Sequence, residues 1–500
     1  MRQYILALDQ GTTGTTVLIC NHAGEVCGRA YSEFTQYYPE PGQVEHDAGE
    51  IWRTTLQVIH AALQHGGIQP EQICSIGITN QRESVLLWER ATGTPVGRVI
   101  VWQDRRTAPL CDQLRGEGLE AQWHRSTGLL IDPYFSATKI HWLLQDPHVR
   151  ARAEGGELAC GTIDTWLLWK LSGGTCHATD YSNASRTMLY NISTLDWDAD
   201  ILRRLDIPRA ILPEVKPSSG FFTVTAPEVF WGQEIPITGV AGDQQAALFG
   251  QGCHTPGMAK NTYGTGSFVL LNTGNAPVFS SERLLTTIAW GLEGQEVTYA
   301  LEGSIFVTGA AIQWLRDGLG LIEDAAETEK LATALDGNAD VYFVPALAGL
   351  GVPYWDAYAR GTIVGLTRGT TREHVVRAAL ESIAYQSADV VEAMQREAGI
   401  DLKQLRADGG AVANRFLMQF QADILGVPVD VPPIPETTAL GAAYLAGLGS
   451  GFWNSSAELA QRWHSAWHYT PAMEREQAQR LLQRWRQAVE RSRAWSGTLE

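Results

Sequence analysis

Two turns rich in threonine and glycine interrupt strand-like apolar segments, one near the start of each half of the chain. The first turn covers residues 9–14 (DQGTTG) and follows the apolar segment 4–8. The second covers residues 261–267 (NTYGTGS) and leads into the apolar segment 268–271. Glycine lets the backbone approach a phosphate closely, and threonine adds N–H and O–H donors. One such turn is also an ordinary β-hairpin, but two in corresponding places predict a duplicated fold that clamps a polyphosphate.

The length of the chain predicts two domains, because 500 residues exceed what one hydrophobic core usually supports. We place the boundary so that the domains are 1–250 and 251–500. The helix-like segment 246–250 ends at a glycine, and a new strand–turn–strand unit begins at Met258. The net charge of −17 argues against nucleic acid or an anionic membrane as the main partner.

Cysteine usage and the N-terminal sequence predict a reduced, cytoplasmic protein. The seven cysteines are scattered without a C-x-x-C pair, which fits neither a disulfide framework nor a zinc site. The chain enters its first strand without a signal-peptide pattern, and no apolar segment is long enough to span a bilayer. The sequence also has no Gly-x-Ser-x-Gly elbow and no Walker-A lysine, which argues against a hydrolase triad and a P-loop enzyme.

Strand and helix patterns alternate along the chain, which predicts an α/β protein. Segments 73–78 and 235–241 have the character of buried strands, and 372–397 has helical periodicity. A final helix is predicted to start with Thr470 as its N-cap and Pro471 in its first turn.

Several specific motifs resemble one family. They are the segments 9–13 (DQGTT), 80–83 (NQRE), 102–106 (WQDRR), 131–136 (IDPYFS) and 242–250 (GDQQAALFG). They are similar to the FGGY carbohydrate kinases, and within that family to the glycerol kinases, and the resemblance extends over most of the chain. It implies two actin-like (ribonuclease-H-like) α/β domains with the active site in the interdomain cleft.

The resemblance also implies a set of polyol ligands. A triol needs both a cationic donor and carboxylate acceptors at fixed positions, and its carbon chain needs an apolar wall. A surface salt bridge is the alternative interpretation of the adjacent Arg82 and Glu83, and a place in the core is the alternative for Trp102. The predicted glycerol ligands are Arg82, Glu83, Tyr134, Asp243 and Gln244, with Trp102 and Phe268 as the wall.

Asp243 is the predicted general base. Phosphoryl transfer requires mainly positioning and charge neutralisation, and a carboxylate that accepts the proton of the attacking hydroxyl contributes about 10²–10⁴-fold. Asp243 follows a strand in a Gly-Asp-Gln turn, at the end of an α/β sheet where ligands bind. A helix N-cap is the alternative role for an aspartate in this position.

The predicted nucleotide site is spread over both halves, and its cofactors are ATP and Mg²⁺. Asp9 ends the first strand, where it is placed to hold a phosphate-bound Mg²⁺ through water. The other predicted contacts, carried over from the family, are Thr12, Thr13, Gly264, Thr265, Gly309, Gln313, Gly410, Ala411 and Asn414.

The expected activity is therefore ATP-dependent phosphorylation of glycerol to sn-glycerol 3-phosphate. The expected partners are glycerol and further copies of the chain in a dimer or tetramer, without nucleic acid or membrane insertion. Two alternatives stay open: a kinase of the same family for another polyol or a ketose such as a pentulose, and an actin-like ATPase that switches a binding surface. Thr16 is one departure, because glycerol kinases commonly have arginine there.

Overall fold

The fold is built on two large β-sheets with the same central arrangement. The computed structural model describes residues 2–496. The strands are β1 (Tyr4–Gln10), β2 (Gly14–Asn21), β3 (Val26–Glu33), β4 (Glu45–His46), β5 (Ile73–Asn80), β6 (Val85–Glu89), β7 (Val99–Ile100), β8 (Leu158–Thr162), β9 (Ala178–Asp180), β10 (Tyr190–Asn191), β11 (Asp196–Trp197), β12 (Glu214–Lys216), β13 (Ser219–Val224), β14 (Pro236–Gly242), β15 (Met258–Tyr263), β16 (Ser267–Gly274), β17 (Leu285–Trp290), β18 (Thr298–Ile305), β19 (Tyr342–Val344), β20 (Thr362–Val364), β21 (Gln404–Gly409), β22 (Val429–Val431) and β23 (Trp467–Tyr469).

Sixteen α-helices connect and cover these strands within the described part of the chain. They are α1 (Ala48–Gly66), α2 (Ala108–Gly116), α3 (Glu120–Thr127), α4 (Ser136–Leu143), α5 (Pro147–Glu154), α6 (Ile163–Leu171), α7 (Tyr181–Ala184), α8 (Ala199–Arg204), α9 (Asp243–Gly250), α10 (Gly309–Gln313), α11 (Glu327–Thr333), α12 (Arg372–Ala398), α13 (Arg415–Leu425), α14 (Thr437–Gly449), α15 (Ser456–Arg462) and α16 (Arg475–Ser492). In this same part of the chain, residues 2–496, no helix is both long enough and apolar enough to cross a membrane.

The two large sheets repeat one pattern of pairing. The first has the order β13-β14-β5-β1-β2-β3, and the second has the order β17-β18-β16-β15-β21-β22-β23. In the first, β1 pairs antiparallel with β2 and parallel with β5; in the second, β15 pairs antiparallel with β16 and parallel with β21. Each predicted threonine–glycine turn therefore joins the central hairpin of its own sheet.

Helix α14 comes late in the chain but packs on the first sheet, against β14, β5 and β1. Glycines make this close approach possible: a Cβ on Gly77 would lie 2.1 Å from the Ala442 carbonyl oxygen, and one on Gly239 would lie 2.4 Å from the Ala446 nitrogen. These distances are too short for any side chain, so both strand positions require glycine. The two halves of the sequence consequently share a hydrophobic core.

The predicted strands and the long helix are confirmed, with β5, β14 and α12 at the expected places. The prediction for the last helix is wrong, because α16 begins at Arg475 with Glu474 in the N-cap position. Residues 470–474 instead lie against α13, where the Asp423 carboxylate accepts a hydrogen bond from the Ala472 amide at 2.6 Å. This tertiary contact outweighs the local Thr-Pro signal.

Candidate active site

Arg82 and Glu83 lie in a tight turn directly after β5, and both are almost fully buried, at 3% and 1% exposure. Glu83 has a φ of 61°, in the left-handed region that is unfavourable for a residue with a side chain. The Ser136 hydroxyl donates to the Glu83 carbonyl oxygen at 2.9 Å and helps to hold this conformation. Backbone strain of this kind concentrates at functional sites. The burial also excludes the surface salt bridge as an interpretation of this pair.

The two residues belong to an ion network that joins distant parts of the chain. Arg82 Nη1 donates to Glu302 Oε2 at 2.5 Å, and Arg82 Nη2 donates to Glu302 Oε1 at 3.1 Å. Arg186 Nε donates to Glu83 Oε1 at 2.7 Å, and its Nη2 donates to Glu302 Oε1 at 3.0 Å. Arg82 Nε also lies 3.1 Å from Asp243 Oδ1. The site thus contains two guanidinium groups and three carboxylates.

Glu302 and Arg82 hold one another in their charged forms, whereas burial raises the pKa of Glu83. Burial alone would raise the pKa of Glu302, but the charges of Arg186 and Arg82 bring it down to about 2. Burial would likewise lower the pKa of Arg82, but Glu302 and Glu83 hold it well above its usual value. A set of fixed charges of both signs can pair with several hydroxyl groups of one small molecule.

Two aromatic rings lie beside this network. The rings of Trp102 and Tyr134 meet edge to face, with centroids 5.5 Å apart. The Trp102 indole N–H donates to Thr12 Oγ1 at 2.9 Å, so the first turn directly adjoins the aromatic pair. Phe268 lies on β16 two residues before Leu270, which is opposite Glu302 in the sheet. Because alternate residues of a strand share a face, Phe268 and Glu302 lie on the same side of the second sheet.

Asp243 is the first residue of α9, and Gly242 occupies the N-cap position, so the N-cap alternative for Asp243 is wrong. Its side chain is 29% exposed and accepts a hydrogen bond from the Gln244 amide at 2.7 Å. The Gln244 side chain accepts a hydrogen bond from Lys260, whose Nζ also donates to Thr262 Oγ1 at 2.9 Å. Asp243 is therefore an accessible carboxylate with charged neighbours, as a general base requires.

A cavity of about 850 Å³ opens in the second half of the chain. The second turn, the start of α10 and the segment after β21 meet at its wall. The predicted nucleotide residues of this half all line it; they are Gly264, Thr265, Gly309, Gln313, Gly410, Ala411 and Asn414. Thr12 and Thr13 are not in its wall, because they belong to the turn of the first sheet. Asn414 has a local role as well, since its side chain caps α13.

Asp9 lies at the end of β1 among other acidic groups. Burial raises its pKa to about 7, and the charges of Asp243 and Glu436 add to the increase. Oxygen-rich, negatively charged surroundings are the chemistry that Mg²⁺ prefers. The part of the chain that the structure describes contains no cluster of three or more ready metal ligands. Asp9 is a single carboxylate among acidic neighbours, and a contact from it to Mg²⁺ through water stays a prediction.

Three residues in contact with the predicted site were not found from the sequence: Arg186, Lys260 and Glu302. Glu302 was the most visible of the three, because it is a charged residue within the mainly apolar strand β18, whereas Lys260 lies in β15 beside the polar Asn261 and Thr262. Charged side chains in such strands are rarely buried unless they are paired. No local pattern distinguishes Arg186.

Comparisons with known proteins agree with this architecture. Residues 4–250 match the FGGY family of carbohydrate kinases, N-terminal domain, and residues 259–450 match its C-terminal domain. The chain is 58% identical over 494 residues to glycerol kinase 2 of Thermotoga maritima, with 99% of each protein covered. It is 58% identical over 496 residues to a glycerol kinase of Petrotoga mobilis, again with 99% of each covered. A solved structure of Plasmodium falciparum glycerol kinase with ADP superposes with a TM-score of 0.94, at 36% identity and 98% coverage of both chains.

The two sheets and the site between them define a phosphotransferase of the actin-like, ribonuclease-H-like class, which confirms the predicted fold class. Within that class, the chain belongs to the FGGY family of carbohydrate kinases.

Proposed function

We propose that this kinase transfers the γ-phosphate of ATP to glycerol, giving sn-glycerol 3-phosphate and ADP. The observation that carries the proposal is the close grouping of Arg82, Glu83 and Asp243, in which Arg82 Nε lies 3.1 Å from Asp243 Oδ1 and 3.8 Å from Glu83 Oε1. Such a group offers a donor and acceptors within the span of a three-carbon triol. The names of the curated relatives support the same substrate.

In the proposed mechanism, Asp243 accepts the proton of the attacking glycerol hydroxyl as the O–P bond forms and the bond to the leaving ADP oxygen breaks. Arg82 and Glu83 orient the other hydroxyls, beside the wall of Trp102 and Phe268. The backbone amides of the two turns donate to phosphate oxygens. Mg²⁺, when bound, neutralises phosphate charge, and Asp9 would hold it through water.

We also propose that residues 1–250 and 251–500 act as two domains that close on the substrates, which would exclude water. The strand sets support this division, since the first sheet ends with β14 and the second begins with β15, and helix α14 is the exception because it packs on the first sheet. The proposal includes a cytoplasmic location and assembly into a dimer or tetramer.

The test is a coupled ADP-release assay with purified enzyme, Mg²⁺-ATP and a panel of glycerol, longer polyols and pentuloses. We expect ADP release to depend on glycerol and kcat/KM to be highest with it. A higher kcat/KM with a pentulose would transfer the proposal to that substrate. ADP release that no polyol changes would favour the actin-like ATPase switch.

A further inference from the structure

Arg186 lies two residues after α7 and has no exposed surface. It contacts two residues of the proposed polyol site, Glu83 and Tyr134. Its Nε donates to Glu83 Oε1 at 2.7 Å, and its guanidinium carbon lies 5.6 Å from the centre of the Tyr134 ring. Within residues 2–496, its buried Nη1 has no hydrogen-bond partner. A cation this close to an aromatic face is attracted by the ring, which partly replaces the missing acceptor.

Glu302 reaches the same place from β18 of the second sheet. Its Oε1 accepts hydrogen bonds from both Arg82 and Arg186, at 3.1 and 3.0 Å. Two buried guanidinium groups repel one another, and a carboxylate between them offsets this repulsion by attracting both. Glu302 therefore lets both arginines occupy the site together.

These contacts determine which groups of Arg82 and Glu83 are left for a ligand. A guanidinium has five N–H groups. Arg82 uses both N–H groups of Nη1, toward Glu302 Oε2 at 2.5 Å and Gln245 Oε1 at 3.2 Å, and one of Nη2. The second N–H of Nη2 remains, and the Nε–H makes no hydrogen bond within residues 2–496, although Nε lies 3.1 Å from Asp243 Oδ1. Arg186 occupies Oε1 of Glu83, and no donor within residues 2–496 reaches Oε2.

We infer that Arg186 and Glu302 are positioning residues that present the free N–H groups of Arg82 and the free oxygen of Glu83 to the hydroxyls of the polyol. This inference rests on the proposed function. Stability alone does not explain the network, because buried ion pairs are often no more stabilising than apolar side chains of the same volume. Arg186 also anchors the side chain of Glu83, whose backbone is in the strained left-handed region.

The test uses Glu302→Gln and Arg186→Lys in the full-length enzyme, with Asp389→Asn as the matched control. Asp389 is also a buried carboxylate bound by an arginine, since Arg486 Nε donates to it at 3.2 Å, but its partners lie outside the site. We expect both site variants to raise the glycerol KM by about tenfold or more and to change the ATP KM by less than about twofold. Asp389→Asn should lower the melting temperature and leave the glycerol KM unchanged.

A double-mutant cycle separates positioning from a general loss of structure. If Arg186 acts through Glu83, adding Arg186→Lys to Glu83→Gln should reduce glycerol kcat/KM much less than it does in the wild type. Fully additive effects, or an unchanged glycerol KM in folded Arg186→Lys, would overturn the inference. If Glu302→Gln does not fold, the cycle with Arg186→Lys decides.

The wild-type polyol panel is measured first and tests the proposed function separately. If another polyol is the better substrate, the variants are compared with that polyol, and the same two outcomes decide on Arg186 and Glu302.

Discussion

In the turn after β1, the Gly11 amide donates to the Gly14 carbonyl oxygen at 2.9 Å; in the turn after β15, the Gly264 amide donates to the Gly266 carbonyl oxygen at 2.8 Å. Both turns are closed by a hydrogen bond from a glycine amide, which spans three residues in the first turn and two in the second, and each turn joins the central hairpin of its sheet. Their surroundings are different. The first adjoins Trp102 and the buried ion network, whereas the second forms part of the wall of the 850 Å³ cavity.

This difference shows how one strand arrangement can bind two kinds of ligand. Beside the first turn, charged side chains fill the space and leave only a few polar atoms free, which suits a small polar molecule. Beside the second, small residues such as Gly309 and Ala411 leave an open volume, which suits a larger one such as a nucleotide. The pairing of the central strands is the same in the two regions, whereas the volume and charge of the surrounding side chains differ.

Asp243→Asn should have the largest effect and should separate catalysis from both binding regions. The amide is nearly isosteric but cannot accept the proton, so we expect kcat to fall by about 10²–10⁴-fold. Nucleotide binding, measured by calorimetry with ADP, should be nearly unchanged. Retention of more than about a tenth of the wild-type kcat would remove Asp243 from the role of base.

Arg82→Ala should affect the first region only. It removes the guanidinium that lies 3.1 Å from Asp243 and leaves Glu302 with one arginine fewer, so we expect the glycerol KM to rise by about 10²-fold. The ATP KM should change far less. Equal changes for both substrates would show that Arg82 is structural or belongs to the nucleotide region; the melting temperature of the variant monitors the fold.

Gly309→Ala should affect the second region only. A Cβ on Gly309 would lie 2.6 Å from the Gly264 carbonyl oxygen, so the second turn must move. We expect the ATP KM to rise by about tenfold with little change in the glycerol KM. Gly337→Ala is the matched control, because a Cβ there meets nothing within 4 Å. An unchanged ATP KM in Gly309→Ala would contradict the assignment of the cavity to the nucleotide.

Asp9→Asn tests whether the carboxyl group of Asp9, in the first region, makes the stability of the enzyme depend on pH. The pKa of Asp9 is raised from 3.8 to about 7 by burial and by Asp243 and Glu436, so its folded state prefers the protonated form. Its contribution to stability is fully present below pH 3.8 and is lost as the pH rises through about 7. We therefore expect the ligand-free Asn variant to be more stable than the wild type at pH 8, with the difference shrinking toward pH 5. A pH-independent difference in melting temperature would show that the pKa of Asp9 is not raised in the folded enzyme.

Thr16→Arg should have the smallest effect and would sharpen the comparison at the first turn. Thr16 pairs with Asp9 across β1 and β2 and is half-buried, so both side chains lie on one face of the sheet. An arginine there could pair with a phosphate, and we expect ATP affinity or kcat to rise by about tenfold at most. If the folded variant loses activity, the nucleotide assignment at this turn is wrong.

The sequence by itself determined the parts that local chemistry controls. The apolar segments predicted the strands on either side of both Thr-Gly turns, and motif resemblance predicted the family. The seven nucleotide residues predicted in the second half were carried over from the family resemblance, and all seven lie in the wall of one cavity. Arg82, Glu83 and Asp243 were assigned by the same resemblance, and their positions close to the ends of β5 and β14 supported it.

Only the tertiary structure decided what surrounds them. Arg82 and Glu302 are separated by 220 positions, and Arg186 by more than 100 positions from both Glu83 and Glu302, so no local pattern links them. Their pairing arises when β18 of the second sheet packs beside the turn after β5. The position of α14 on the first sheet and the late start of α16 were decided in the same way. In each case the stabilising free energy comes from burial against residues that are distant in the sequence. Local helix and strand propensities do not include that contribution.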